Sequence, residues 1–107
     1  MKVENLRTRN NARTPVPGIY KRTKEGTLVR DFNLTSQIQR AAVSLMTNLA
    51  EGFERQHVKE KLQFYNIVRA STGEVRSLLY VISDNYPERA AHALHLMGET
   101  ESAGKQV

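Results

Sequence analysis

Eight lysine and arginine side chains fall within the first 31 residues: Lys2, Arg7, Arg9, Arg13, Lys21, Arg22, Lys24 and Arg30. Only Glu4, Glu25 and Asp31 oppose them there. The rest of the 107-residue chain carries eight basic and eight acidic residues, so the whole formal charge of +5 sits at one end. Cations gathered in this way displace condensed counterions from a polyanion, and they bind it without needing its sequence. About five such contacts on a single strand would make log K fall against log salt with a slope near −3.5. Arginine can also stack on unpaired bases. Arg40, Arg69 and Arg76 would join these cations wherever they are exposed.

Other side chains carry weaker chemical signals. Glu51 and Glu54 lie three apart, the beginning of a carboxylate site for Mg²⁺, which takes oxygen ligands from several acids and from substrate phosphates. The facing segment offers Glu74 alone, with Ser77 and Leu78 three and four residues on, so the set is incomplete. Glu88, His92, His95 and Glu99 follow one another at steps of four, three and four and could hold Zn²⁺. They are equally the polar face of a helix whose apolar face is Ala90, Leu94 and Met97. No cysteine is present, which removes disulfides and thiolate metal sites. Nor is there a nucleophile–base pair, a phosphate-binding glycine loop or a dinucleotide fingerprint. No catalytic, metal or cofactor residue is assigned, and the expectation is a non-enzymatic protein.

These side chains need elements to hold them. Residues 1–18 have few large apolar side chains (Met1, Val3, Leu6, Val16), and Thr14-Pro15-Val16-Pro17-Gly18 stops a helix from crossing it. The reading is a basic arm over 1–18, a helical bundle domain over 19–98 and a flexible tail over 99–107. A short helix from Ile19 to about Glu25 would end at Gly26. Asp31 or Asn33 can cap a helix from Leu34 to about Arg55, whose apolar residues Leu34, Ile38, Ala41/Ala42, Leu45, Leu49 and Phe53 recur every three or four. From about Val58 to Asn85, Tyr65, Val68, Thr72, Val75, Leu79, Ile82 and Tyr86 form a heptad seam. A second set, Leu62, Phe64, Ile67, Leu78 and Val81, flanks it and suggests a face for another subunit. Pro87 opens a last helix that Gly98 would close. His57 reads as a loop residue. No alternating strand pattern competes, so the class is all-α. No apolar run approaches the roughly 20 residues that span a bilayer, and no secretory signal begins the chain. A cytoplasmic protein is expected.

The string Leu34-Thr35-Ser36-Gln37-Ile38-Gln39-Arg40-Ala41-Ala42-Val43-Ser44, then Asn48-Leu49-Ala50-Glu51-Gly52-Phe53-Glu54-Arg55, resembles the 23S rRNA intervening-sequence protein family. Glu60, Gln63-Phe64, Ile67 and Arg69-Ala70-Ser71-Thr72-Gly73-Glu74-Val75-Arg76-Ser77 continue the likeness, as do Ile19-Tyr20, Thr23 and Asp31-Phe32 upstream. The resemblance implies an antiparallel up-down four-helix bundle, a homo-oligomer of ring-like pentameric form, and association with 23S rRNA or its intervening-sequence stem-loop, with a place on the ribosome. The family's first helix is long, whereas Pro15, Pro17 and Gly18 predict a shortened or broken one here. The family-like positions Arg40, Ser44, Asn48, Glu51, Gly52, Arg55, Ser71 and Glu74 are expected to be structural. Gln37, Arg40, Ser44, Asn48, Glu51 and Arg55 would form a buried polar network with Ser71 and Glu74 between the two long helices. Counting outward from residue 57 puts Arg40 level with Glu74, and an ion pair between them is expected. Close helix–helix approach would account for Gly52 and Gly73. Two other functions stay open: a protein–protein adaptor, and a Mg²⁺-dependent nucleotide pyrophosphohydrolase using Glu51.

Overall fold

Asp31 starts the first of two long helices. In the computed structural model, which describes residues 15–105, its carboxylate accepts the Leu34 amide at 3.2 Å, a side-chain cap for an otherwise unpartnered donor. Four α-helices follow in order among the described residues: α1 (Val16–Arg22), α2 (Phe32–Glu54), α3 (Val58–Asn85) and α4 (Ala90–Gly104). Single 3-10 turns at Leu28–Arg30 and Pro87–Arg89 lead into α2 and α4. No described residue is in a strand, and the fold is an all-α helical bundle.

The two long helices lie where the apolar spacing predicts them. Their contacts run in opposite senses: a Cβ on Gly52 would touch Tyr65, while Ser44 meets Ser71. Lys61 fixes the turn by donating to the Gly52 and Phe53 carbonyls at 3.1 and 3.3 Å, a cation on the negative end of α2. His57 sits in that turn as the residue before α3.

The core has two parts. Ile38, Ala42, Val75, Leu79 and Ile82 meet Ile19, Leu28, Ala93 and Leu96 at one end. Leu45, Met46, Leu49, Val68 and Ala103 fill the other. Val16 packs against both. The α3 seam is buried at Val68, Val75, Leu79 and Ile82, as its heptad requires.

Three expectations need correction. Helix α1 begins at Val16, inside the segment expected to break it, with Pro15 as its cap residue. A proline in the first turn loses only an amide that the helix does not use, so Pro17 is tolerated there. Pro15 is buried and Gly18 packs on Leu96, so residues 15–18 belong to the body and not to an arm. Residues 1–14 lie outside the described residues. The helix ends at Arg22, before Gly26, and both the amide and the hydroxyl of Thr23 bond to the Ile19 carbonyl, at 2.9 and 2.7 Å. Gly26 keeps a left-handed φ of 61°, but in the turn that follows.

The C-terminal segment also departs from the tail expected over 99–107. Residues 99–104 are helical, continuing α4 through Gly98. A helical glycine costs about 1 kcal/mol against alanine, and the burial of Thr100 and Ala103 outweighs it. Gly104 then packs against Thr72 of α3, with Thr72 Oγ1 3.1 Å from where a Cβ would lie. Residues 106 and 107 lie outside the described residues.

Candidate nucleic-acid interface

Helix α1 and the turn after it carry four of the eight cations predicted to meet RNA. Lys21, Lys24 and Arg30 are exposed and have no ion pair among the described residues. Lys24 Nζ lies 6.0 Å from the centre of the Tyr20 ring, within range of a cation–π contact. Arg22 is engaged differently. Its Nη1 is 3.2 Å from Glu25 Oε1, and Arg89 Nη1 reaches the same oxygen at 3.8 Å. That shared carboxylate joins α1 to the start of α4, so Arg22 serves the fold. Lys2, Arg7, Arg9 and Arg13 lie outside the described residues.

The expected polar network forms only in part. Ser71 donates to Ser44 Oγ at 3.1 Å, and Asn48 Nδ2 donates to the Ser44 carbonyl at 2.8 Å and to its hydroxyl at 3.3 Å. Gln37, Arg40, Glu51 and Arg55 instead bond to neighbours four residues away on α2 or at its end. Gln37 donates to Asn33 at 3.0 Å, and Arg40 Nε to the Ser36 carbonyl at 3.4 Å. Arg55 pairs with Glu51 at 2.7 Å and lies 5.0 Å from the Phe64 ring centre. No ion pair joins Arg40 to Glu74 among the described residues, and both are exposed. Their heights along the bundle match, but each points away from the seam. Gly52 is the close-approach glycine expected of it, with Tyr65 Cε1 2.6 Å from a would-be Cβ; Gly73 is not, having no atom within 4 Å.

The acidic and histidine candidates are dispersed. Glu88 accepts from Thr27 at 3.2 Å, and His95 Nε2 lies 3.6 Å from Glu99. His92 faces inward instead, lining a cavity of about 10 Å³ with Arg89, Ile19 and Leu28. No three His, Asp or Glu gather in ligand geometry among the described residues.

One feature escapes sequence reasoning. An open cleft of about 350 Å³ lies between α3 and the end of α4, lined by Arg69, Thr72, Gly73, Arg76, Glu101, Gly104 and Lys105. Arg69 and Arg76 are one heptad apart, which is a legible signal. Lys105 joins them only because α4 continues past Gly98.

The model of the family described as 23S rRNA-intervening sequence protein matches residues 4–107. The chain belongs to that family. No curated protein and no solved structure matched it. Membership of the 23S rRNA-intervening sequence protein family agrees with the string from Leu34 to Arg55 and its continuation on α3. Within it, Ser44, Asn48 and Ser71 tie the long helices together, and Gly52 admits Tyr65. No helix among the described residues is long and apolar enough to cross a membrane.

Proposed function

We propose that this chain is a non-enzymatic RNA-associated protein that binds 23S rRNA, or the stem-loop of its intervening sequence, through positive side chains held on a helical bundle. The observation that carries the reading is the charge: all +5 of the formal net charge lies in residues 1–31 of a chain whose family name refers to 23S rRNA. Lys21, Lys24 and Arg30 are exposed and have no ion pair among the described residues, as suits phosphate-binding cations. The bundle acts as scaffold, and the ordinary place for such a protein is the cytoplasm, beside the ribosome.

The scaffold assembles with copies of itself, in a ring of five by the family resemblance. What supports self-association is the α3 face outside the core, where Ile67 and Val81 are 43% and 42% exposed. Assembly would multiply the cationic surfaces on one RNA and raise avidity without new contacts. The same face favours the second reading, an adaptor that offers it to a different protein.

A gel-shift titration with 23S rRNA fragments at graded salt tests the proposal. Binding that weakens steeply with salt supports it. Absence of binding, or binding indifferent to salt, favours the adaptor. Phosphate release from nucleoside triphosphates with Mg²⁺, lost on Glu51→Gln, would overturn the non-enzymatic reading.

A further inference from the structure

We infer that the cleft between α3 and the end of α4 is a binding site for the phosphate backbone of RNA, an inference that rests on the reading above and gives it a place on the folded body. Arg69, Gly73 and Arg76 follow at steps of four and three, so they share one face of α3. The two arginines stand two turns apart, about 10.5 Å along the axis. Between them is a glycine whose Cβ would meet no atom within 4 Å. Lys105, at the C-cap of α4, lines the same cleft, and Glu101 is the one carboxylate there. The formal excess is two positive charges.

None of these three cations has an ion pair or a side-chain hydrogen bond among the described residues, unlike Arg22, Arg55 and Arg89, which each have a carboxylate within 4 Å. Positive groups converging unpaired on a concavity concentrate potential there, and the guanidinium fork matches a phosphate's oxygens. The glycine marks where the ligand approaches. Gly52 and Gly104 are explained by the side chains packed on them, whereas Gly73 is open. Gly98 is equally open, but His95 and Glu101 flank it three residues away, with no cation. No large apolar side chain lines the cleft, as the core of a protein–protein contact would require.

The test uses the full chain and a fluorescent 23S rRNA stem-loop fragment, with anisotropy followed from about 50 to about 200 mM salt. Replacing Arg69 and Arg76 by glutamine removes two phosphate contacts and is expected to make the salt slope shallower by about 1.4 for contacts to the unpaired loop and about 1.8 for contacts to the paired stem. Gly73→Leu keeps every charge and fills the gap. It is expected to weaken binding severalfold while leaving the melting temperature equal or higher, an outcome that unfolding cannot produce. Wild-type affinity and slope in both variants would overturn the cleft and leave the RNA reading standing. A wild-type chain that fails to bind the fragment would sink the RNA reading and the cleft with it. Displacement of the RNA from the wild-type chain by millimolar inorganic phosphate, or more readily by polyglutamate than by an unlabelled RNA, would mark a site for free anions or for an acidic protein and would equally overturn the proposal.

Discussion

Ser71 of α3 donates its hydroxyl to Ser44 of α2 at 3.1 Å, and Asn48 closes the group from the next turn. It is a side-chain tie between the two long helices, at the height where their apolar seams change from one core cluster to the other. Ser71 is buried, so its hydroxyl has little water to fall back on.

Removing one partner should cost more than removing both. Ser71→Ala is expected to lower stability by about 1 kcal/mol. The double change Ser44→Ala, Ser71→Ala should cost less than the sum of the singles, because no hydroxyl is left unpaired across the seam. Urea unfolding of the four proteins in the cycle measures the coupling, and strict additivity would show that the tie is energetically idle.

Alanine at the two glycines of the long helices should act with opposite signs. At Gly52 a Cβ lands 2.6 Å from Tyr65 Cε1 and 3.3 Å from Phe64 Cβ, so the Tyr65 ring, edge-on to Phe53, must move. Overpacking costs about 1–3 kcal/mol, which exceeds the gain of about 1 kcal/mol in helix propensity. At Gly73 only the gain remains. Thermal melts should therefore rank Gly73→Ala above wild type and Gly52→Ala below it.

Alkaline pH should release the joint between the start of α2 and the end of α3. Tyr86 donates its phenol to Asp31 Oδ2 at 2.9 Å, and that bond to a carboxylate pushes the phenol above its ordinary value, with desolvation adding to it. The protonated form is thus favoured in the folded chain. Its contribution is complete below the unfolded value near 10 and disappears as pH rises through the higher folded value. Tyr86→Phe should be less stable at neutral pH and should lose less on going to alkaline pH. Equal slopes for both proteins would remove the phenol from the explanation. Asp31→Ala should cost about 1 kcal/mol for the helix cap alone, and more because Tyr86 loses its acceptor.

Cations with different surroundings should differ in RNA binding. Changing Lys21, Lys24 and Arg30 together to glutamine is expected to make the salt slope shallower by about 2 on a single strand, with little change in melting temperature. Arg22→Gln should chiefly weaken the contact of α1 with the start of α4, leaving Glu25 to Arg89 alone. Anisotropy and melting curves on the same variants separate the two effects.

If the chain self-associates through α3 as proposed, Ile67→Lys with Val81→Lys should dissociate it while leaving each chain folded, since both side chains lie outside the core. Sedimentation velocity reads the outcome. An unchanged sedimentation coefficient would move the interface elsewhere or favour a monomer.

Local patterns made much of the fold legible in the chain itself. The three-and-four spacing from Leu34 and the heptad from Tyr65 located α2 and α3, because each helix must turn one apolar stripe inward. Asp31 announced its cap, Gly52 its close contact, and segregation of charge the cationic end. Packing decided the rest. Pro15 and Pro17 look like breaks until the first turn of α1 makes use of them, and Gly98 looks like an end until Thr100 and Ala103 find α3 and the core to bury against. Chain counting set Arg40 level with Glu74, yet height along a helix says nothing of which way a side chain faces. For the same reason the cleft was not foreseeable. Arg69 and Arg76 were visible one heptad apart, but Lys105 reaches them only where α4 closes on α3, through contacts between residues far apart in the chain.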